Sequence, residues 1–539
     1  MKIRTLILSF ILVIISSFVF IGITEAREDR GKYLVIHVDG ISSELFLDEL
    51  NAGELENLNS FFANGNIIDY GITYFPPFTQ VVTTRIREGK KIYEGELIDW
   101  DRYDEETDEG HGKISVFMKM RDTVSRRARS NFAYGYPVLS YLGGPALLNV
   151  PDLIDKYGVV EFYWFATDTY GHAFGENQQR KWFRRFDKYF GEMASNLDDD
   201  VNVIIYSDHG MTFGERVDFE DEMEEIFKDD VLNFSYPNIY LANSDDKVKI
   251  AKKLLRETPL DYTFIQEKKN KIIGYHNESS IIFEIKNEKI SYSYEGVDTF
   301  GYYEAGYKGQ PLTEDQWLEF THKLEYPLVP VNIYNLFKSP NVGDIISVLN
   351  APKIMGDGYV RKGNHQGITS IDMTVPIFLK GPNLEHLYDY EYMRLDSLFS
   401  TKVTGVNFED VEPKREKHSI SLWVDDYKNP DLKARFSYSP KYRVQLGANI
   451  SLDDIYDMWG EYDIYSGYLT RHWLGGGISY DDDLSTLIKF RSEIRVRRLA
   501  LDYTIARGRD SKTNLSYRVS NNIDLNLLDF ETFGLRYRW

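Results

Sequence analysis

Three apolar, strand-like runs in this 539-residue chain each finish on an acidic residue. Tyr33 to Val38 leads into Asp39-Gly40. Phe162 to Ala166 leads into Asp168 and then Gly171-His172. Val203 to Tyr206 leads into Asp208-His209-Gly210. In an open α/β sheet, ligands bind just beyond the carboxyl ends of the strands. One such sheet would collect Asp39, Asp168, His172, Asp208 and His209 at a single edge. That concentration of carboxylate and imidazole is a metal site before it is anything else.

From Gly31 to about Gly381 short apolar strands alternate with longer amphipathic segments. Glu44 to Asn64 and Gln178 to Leu197 read as helices, so residues 27–405 are α/β with a mainly parallel sheet flanked by helices. The rhythm breaks between about Asn233 and Lys353. Lys-rich helices and short Tyr/Ile strands, Ser280 to Lys286 and Lys289 to Tyr294, predict an inserted cap there. Core-like sequence returns at Gly363-Asn364-His365-Gln366-Gly367 and the buried strand Val375 to Leu379. Residues 406–417 are charged around Phe408 to Arg415 and read as a linker.

Residues 418–539 are all-β. Ile488, Phe490, Ile494 and Val496 alternate with Lys489, Arg491, Glu493 and Arg495. Leu499, Leu501, Tyr503 and Ile505 repeat the pattern, as do Leu515, Tyr517 and Val519. The last run sets Phe533, Leu535, Tyr537 and Trp539 against Arg536 and Arg538. Period-2 alternation predicts eight to ten half-buried antiparallel strands. A soluble sandwich and an outer-membrane barrel both satisfy it. Strand length, the charge on the polar face and the terminal aromatic residue favour the barrel.

Lys2 and Arg4 precede an apolar run from Leu6 to Ile23, and Thr24-Glu25-Ala26 offers a cleavage site. Residues 1–26 therefore read as an export signal, with an uncleaved anchor as the alternative. Export places the protein in the periplasm or at the cell surface. The chain has no cysteine, so any metal must be held by His and carboxylates. A formal charge of -21 argues against nucleic acid as a partner.

The order Asp168-x-x-Gly-His172, Asp208-His209-Gly210 and Gly-Asn-His365 resembles the alkaline phosphatase superfamily, in particular its nucleotide pyrophosphatase/phosphodiesterase-like branch. The resemblance spans about Lys32 to Pro382. It implies two neighbouring divalent metal ions, usually zinc. Asp168, His172 and His365 match the ligands of one, and Asp39, Asp208 and His209 those of the other. Thr79, within Phe75-Pro76-Pro77-Phe78-Thr79, matches the nucleophile, which also contacts metal. His37 reads as an ordinary strand histidine. Thr73, Thr83 and Thr84 are the competitors for Thr79.

The chemistry is coherent without the resemblance. A threonine hydroxyl is a weak nucleophile at neutral pH. A divalent metal lowers the pKa of an oxygen it binds, and a second metal about 4 Å away stabilises the leaving oxygen. The expected reaction is hydrolysis of a phosphomonoester or phosphodiester through phospho-Thr79. The substrate would be a nucleotide, lipid or glycan phosphate. An alcohol acceptor would make the enzyme a phosphoethanolamine- or phosphoglycerol-type transferase, and a dead site would leave a barrel-anchored binding protein. A sulfatase is disfavoured by Thr at the nucleophile position, and a phosphoglycerate mutase-like enzyme by Thr and by export. One departure matters. The related phosphodiesterases carry an Asn after the nucleophile helix that holds a phosphoryl oxygen, and none is evident near Trp100. Arg85 and Arg102 are candidate replacements. The Tyr-rich run Tyr292 to Tyr307 is read as β packing ahead of a stacking surface for substrate.

Overall fold

The computed structural model describes residues 31–86, 89–94, 102–104, 109–111, 137–356, 360 and 362–400. It also describes ten strands between 418 and 538, with residues 498 and 511. The export segment, the linker, Trp539 and the stretch around Trp100 lie outside the described residues, and of Arg102 only the backbone is described.

Six strands form the central sheet: β1 Lys32–Val38, β2 Asn66–Ile72, β3 Val159–Trp164, β4 Val201–Tyr206, β5 Thr374–Lys380 and β6 Tyr392–Arg394. Their order is β6-β2-β5-β4-β1-β3. β1 runs parallel to both β3 and β4, with Tyr33 beside Val159 and Lys32 beside Val201. β6 is parallel to β2, while β5 is antiparallel to β4 and β2. The sheet is thus mixed, with three parallel pairings among the five. β4 and β5 are joined through the whole cap, a connection long enough to allow either direction. β1 and β4 read as near-continuous apolar runs because both faces are covered. Leu34, Ile36 and Val203 pack to one side, and Tyr33, Val35 and Ile204 to the other.

Helices α1 Ser43–Asn51, α2 Glu56–Phe62, α3 Thr79–Ile86, α4 Val150–Tyr157, α5 Ala166–Phe174 and α6 Glu176–Ala194 surround this sheet. The single helix predicted over 44–64 is two, because Gly53 takes a left-handed φ of +74° between them. Ser42 caps α1 by accepting from Leu45 N at 3.1 Å. α2 lacks a local side-chain cap. Buried Asp187 of α6 replaces it, accepting from Asn57 N at 3.3 Å and Leu58 N at 2.8 Å.

The cap is a seven-stranded antiparallel sheet running in chain from Val231–Ser235 to Ile345–Val348. Ser279–Lys286 and Lys289–Glu295 form a hairpin whose two loop residues, Asn287 and Glu288, both have positive φ. That is the two-residue turn whose twist suits a hairpin. Tyr292, Tyr302 and Tyr307 are buried around Phe300 and Trp317, with Tyr307 and Trp317 ring centres 5.0 Å apart. They pack the cap rather than present a stacking surface. Glu314, opening the helix Glu314–Thr321, pairs with Arg394 and with Lys91 at 3.0 Å, and Asp396 joins both cations. This network pins the cap to the chain that follows β6.

The C-terminal strands close into a ten-stranded antiparallel barrel, not a sandwich. They are β7 His418–Asp425, β8 Asp431–Lys441, β9 Val444–Ser451, β10 Tyr456–Ser466, β11 Thr470–Asp481, β12 Asp483–Val496, β13 Leu499–Ala506, β14 Lys512–Ser520, β15 Ile523–Leu528 and β16 Thr532–Arg538. β16 pairs with β7, which leaves no open edge. The apolar side of the alternation faces out: Ile488, Phe490, Ile494, Leu501, Tyr503 and Ile505 are exposed. Lys489, Glu493 and Asp502 are buried inside. Glu461 bonds Lys489 at 2.7 Å and Arg491 at 3.2 Å across the interior. The same two cations stack over Trp459 and Trp473 at 4.0 and 3.8 Å. Residues 32–539 form one compact unit. The barrel meets the α/β part at α4, where Asn149 Nδ2 donates to Arg495 O at 2.9 Å and Asp152 pairs with Arg518 at 3.2 Å.

Candidate metal centre

The parallel register of β3, β1 and β4 aligns their carboxyl ends, so the residues that follow meet at one edge. Asp39 follows β1 directly. Gly40 then turns the chain at φ +75°, and a Cβ there would lie 3.1 Å from Asp168 Cβ. Glycine is what lets the end of β1 approach α5 so closely. On α5, Asp168 and His172 are one turn apart and share a face. Asp208 and His209 follow β4. His365 directly follows the short strand Gly363–Asn364.

All six predicted ligands are buried, and they gather as two overlapping sets. In the first, His172 Nε2 lies 3.1 Å from Asp168 Oδ1 and 3.1 Å from His365 Nε2, and His365 Nε2 lies 3.5 Å from Asp168 Oδ1. In the second, His209 Nε2 lies 3.3 Å from Asp39 Oδ1 and 3.3 Å from Asp208 Oδ2. Asp39, Asp168 and His209 are also within mutual reach, so the two sets adjoin.

The donor chemistry fits a cation. His172, His209 and His365 each direct Nδ1 at a backbone carbonyl: Gly363 O at 2.7 Å, Gly210 O at 2.8 Å and Pro77 O at 2.7 Å. Each Nδ1 therefore donates to its carbonyl, and each Nε2 faces the centre, the atom that metal ligation would use. Oδ1 of Asp39, both carboxylate oxygens of Asp168 and Oδ2 of Asp208 are buried and accept no hydrogen bond. Buried carboxylate oxygens in that state are costly unless a positive charge compensates them.

The titration behaviour follows the same geometry. Burial, then the charges of Asp208 and Asp168, push the Asp39 carboxyl well above the ordinary range. Burial acts in the same direction on Asp208 and Asp168. It is outweighed by His209 and His37 at Asp208 and by His172 at Asp168, so both are held low. Burial, reinforced by His209, drives His365 well below the usual imidazole value. Divalent charge at the centre would favour the ionised form of all three carboxyls.

Thr79 opens α3 and is wholly buried, with Oγ1 3.0 Å from His209 Nε2. The competing threonines are otherwise engaged. Thr73 donates to Asp208 O, Thr83 to Thr79 O and Thr84 to Gln80 O, the ordinary role of helix and loop hydroxyls. Arg85 is buried and gives Nε to Ile92 O and Nη1 to Val81 O at 2.8 and 3.1 Å, while its Nη2 is buried without a hydrogen-bond partner.

Two residues outside the predicted set touch the ligands. His37 Nε2 lies 3.0 Å from Asp208 Oδ1, and its ring stacks between Tyr163 and Tyr206. Tyr163 donates its hydroxyl to Asp39 Oδ2. His37 stands two residues before Asp39 on one strand, so period 2 alone placed it on the same face. Tyr163 carried no comparable signal. Gln80, beside Thr79, is buried with neither end of its amide hydrogen-bonded.

A family model described as type I phosphodiesterase / nucleotide pyrophosphatase matches residues 88–297. The match takes in Asp168, His172, Asp208 and His209, and it supports an enzyme acting on phosphate esters. Among solved structures, human ectonucleotide pyrophosphatase / phosphodiesterase 5 aligns with a TM-score of 0.44 at 12% identity, over 70% of this chain and 95% of its own. A mutant of the alkaline phosphatase PafA aligns with a TM-score of 0.45 at 11% identity, over 71% of this chain and 97% of its own. Murine ectonucleotide pyrophosphatase / phosphodiesterase 5 gives 0.39 and 14%, over 71% and 100%. No curated protein matches the chain.

Proposed function

We propose that the chain is an exported two-metal phosphoesterase that cleaves its substrate through a phospho-Thr79 intermediate. The observation that carries this reading is the Thr79 hydroxyl, 3.0 Å from His209 Nε2 at the junction of two ligand sets. Asp168, His172 and His365 would hold one ion, and Asp39, Asp208 and His209 the other. Zinc suits these nitrogen and oxygen donors. When bound, the two ions supply the positive charge that acidifies the Thr79 hydroxyl and offsets charge on the phosphoryl oxygens.

Thr79 Oγ1 passes its proton to solvent water and bonds to phosphorus as the ester P–O bond breaks. The alkoxide leaves and is protonated by water. A water then attacks the phosphorus, the P–Oγ1 bond breaks and Thr79 recovers its proton. Helix α3 holds Oγ1 in place, and the N–H groups of its first turn lack intrahelical acceptors. They are available to phosphoryl oxygens and would take over from the Asn found in related phosphodiesterases.

The apolar exterior and charged interior of the barrel support insertion in an outer membrane. The basic residues Lys2 and Arg4 ahead of the run Leu6 to Ile23 support export. The substrate class is a phosphate ester of the envelope: a nucleotide, lipid or glycan phosphate.

The test uses zinc-loaded protein with p-nitrophenyl phosphate, bis-p-nitrophenyl phosphate and p-nitrophenyl thymidine monophosphate. Turnover of at least one is expected, with loss in Thr79→Ala and phosphate trapped on Thr79 in acid-quenched protein. Full activity in Thr79→Ala would sink the nucleophile. Tight zinc binding without turnover of any substrate would sink the enzyme.

A further inference from the structure

We propose that the catalytic domain is held at the periplasmic mouth of the barrel, so that its metal centre faces the periplasm and not the cell exterior. This rests on the reading of the barrel as membrane-spanning and adds to it the side on which substrate is met.

The barrel has two unlike ends. β7 starts and β16 finishes at the same one, since Ser419 pairs with Arg538. At that end the connections are residues 442–443, 467–469, 497–498 and 521–522, of two or three residues each. At the other end they are 426–430, 452–455, 482, 507–511 and 529–531, of one to five residues and longer on average. In outer-membrane barrels the short turns are periplasmic and the longer loops are outside.

The catalytic domain sits at the short-turn end. Asn149 bonds Arg495 O one residue before β12 ends, and Asp152 pairs with Arg518 near the end of β14. Tyr462, Tyr517 and Tyr537 point outward on the same half of β10, β14 and β16, where an interfacial belt would lie. The chain also enters the barrel from this end, at His418. A chain inserting from the periplasm can pass hairpin loops through the hydrocarbon. A folded domain built on residues 32–400, with its charged centre, cannot follow them.

The absence of cysteine allows a direct test. Ser511→Cys marks the long-loop end, and Lys308→Cys marks the cap; both positions are exposed. Each variant is expressed at full length in a bacterium with two membranes and treated with a membrane-impermeant maleimide. Retained esterase activity and heat-modifiable migration show that each has folded. Ser511→Cys is expected to label in intact cells, and Lys308→Cys only after the outer membrane is permeabilised. Labelling of Lys308→Cys in intact cells overturns the orientation, as does silence of Ser511→Cys in protein recovered with the outer membrane. Recovery of both variants in the soluble fraction, without heat-modifiable migration, overturns the membrane reading itself.

Discussion

His172 Nε2 and His365 Nε2 face each other at 3.1 Å, and both rings have their hydrogen on Nδ1. Two lone pairs at that separation repel unless a cation or a proton lies between them. His365→Ala removes one of the pair and leaves Asp39, Asp208 and His209 intact. Bound zinc, counted by elemental mass spectrometry after dialysis, should fall from two per chain to one. Retention of two would remove His365 from the ligand set.

Tyr163 fixes Asp39 by donating to the carboxylate oxygen that does not face His209. Groups that orient a ligand typically contribute about 10- to 100-fold in metal affinity. Tyr163→Phe should weaken the tighter-titrating metal by about that factor in calorimetry while leaving the thermal midpoint of the metal-free protein nearly unchanged. An unaltered affinity would make Tyr163 a packing residue only.

Glu314 is held at about 2 from an ordinary value of 4.5. Burial opposes this shift, but Arg394 and Lys91 outweigh it. A carboxyl with a depressed folded pKa contributes stability above its unfolded value and loses it as pH falls. The contribution should fade between about pH 4.5 and 2 and amount to at most ~3 kcal/mol. Glu314→Gln should therefore destabilise the protein at pH 7 and leave it close to wild type near pH 2, as read from urea midpoints at both pH values. Equal destabilisation at both would assign the effect to packing.

Ile488 lies mid-strand on the outward face of β12, beside inward Lys489. Arg at the middle of a lipid-facing strand costs about 2–4 kcal/mol. Ile488→Arg should lower the fraction of heat-modifiable barrel formed in phospholipid vesicles. A soluble barrel would tolerate it or gain solubility.

The strand-end aspartates were legible because each ligand sits within a few residues of the apolar run that positions it. The place of Thr79 beside His209 was legible less directly, since Thr73, Thr83 and Thr84 are close in sequence and differ in bonding carbonyls, from Asp208 to Gln80. Tyr163 was not legible, since its contact with Asp39 depends on β3 lying beside β1. The long predicted helix over 44–64 failed at Gly53, where one positive φ outweighs a continuous apolar stripe. In the barrel, alternation marked two faces without saying which turns outward. The closed barrel turns Glu461, Lys489, Arg491, Trp459 and Trp473 inward, where the charges pair, and leaves Ile488, Phe490 and Ile494 on the outside.

Glu461 holds Lys489 and Arg491 together in the barrel interior, with Trp459 and Trp473 stacked on the two cations. A solute entering from either mouth would have to part both ion pairs and leave their charges uncompensated. Such a barrel acts as a post and not as a pore. Set in a membrane, a barrel closed in this way would carry the α/β domain without opening a path across it.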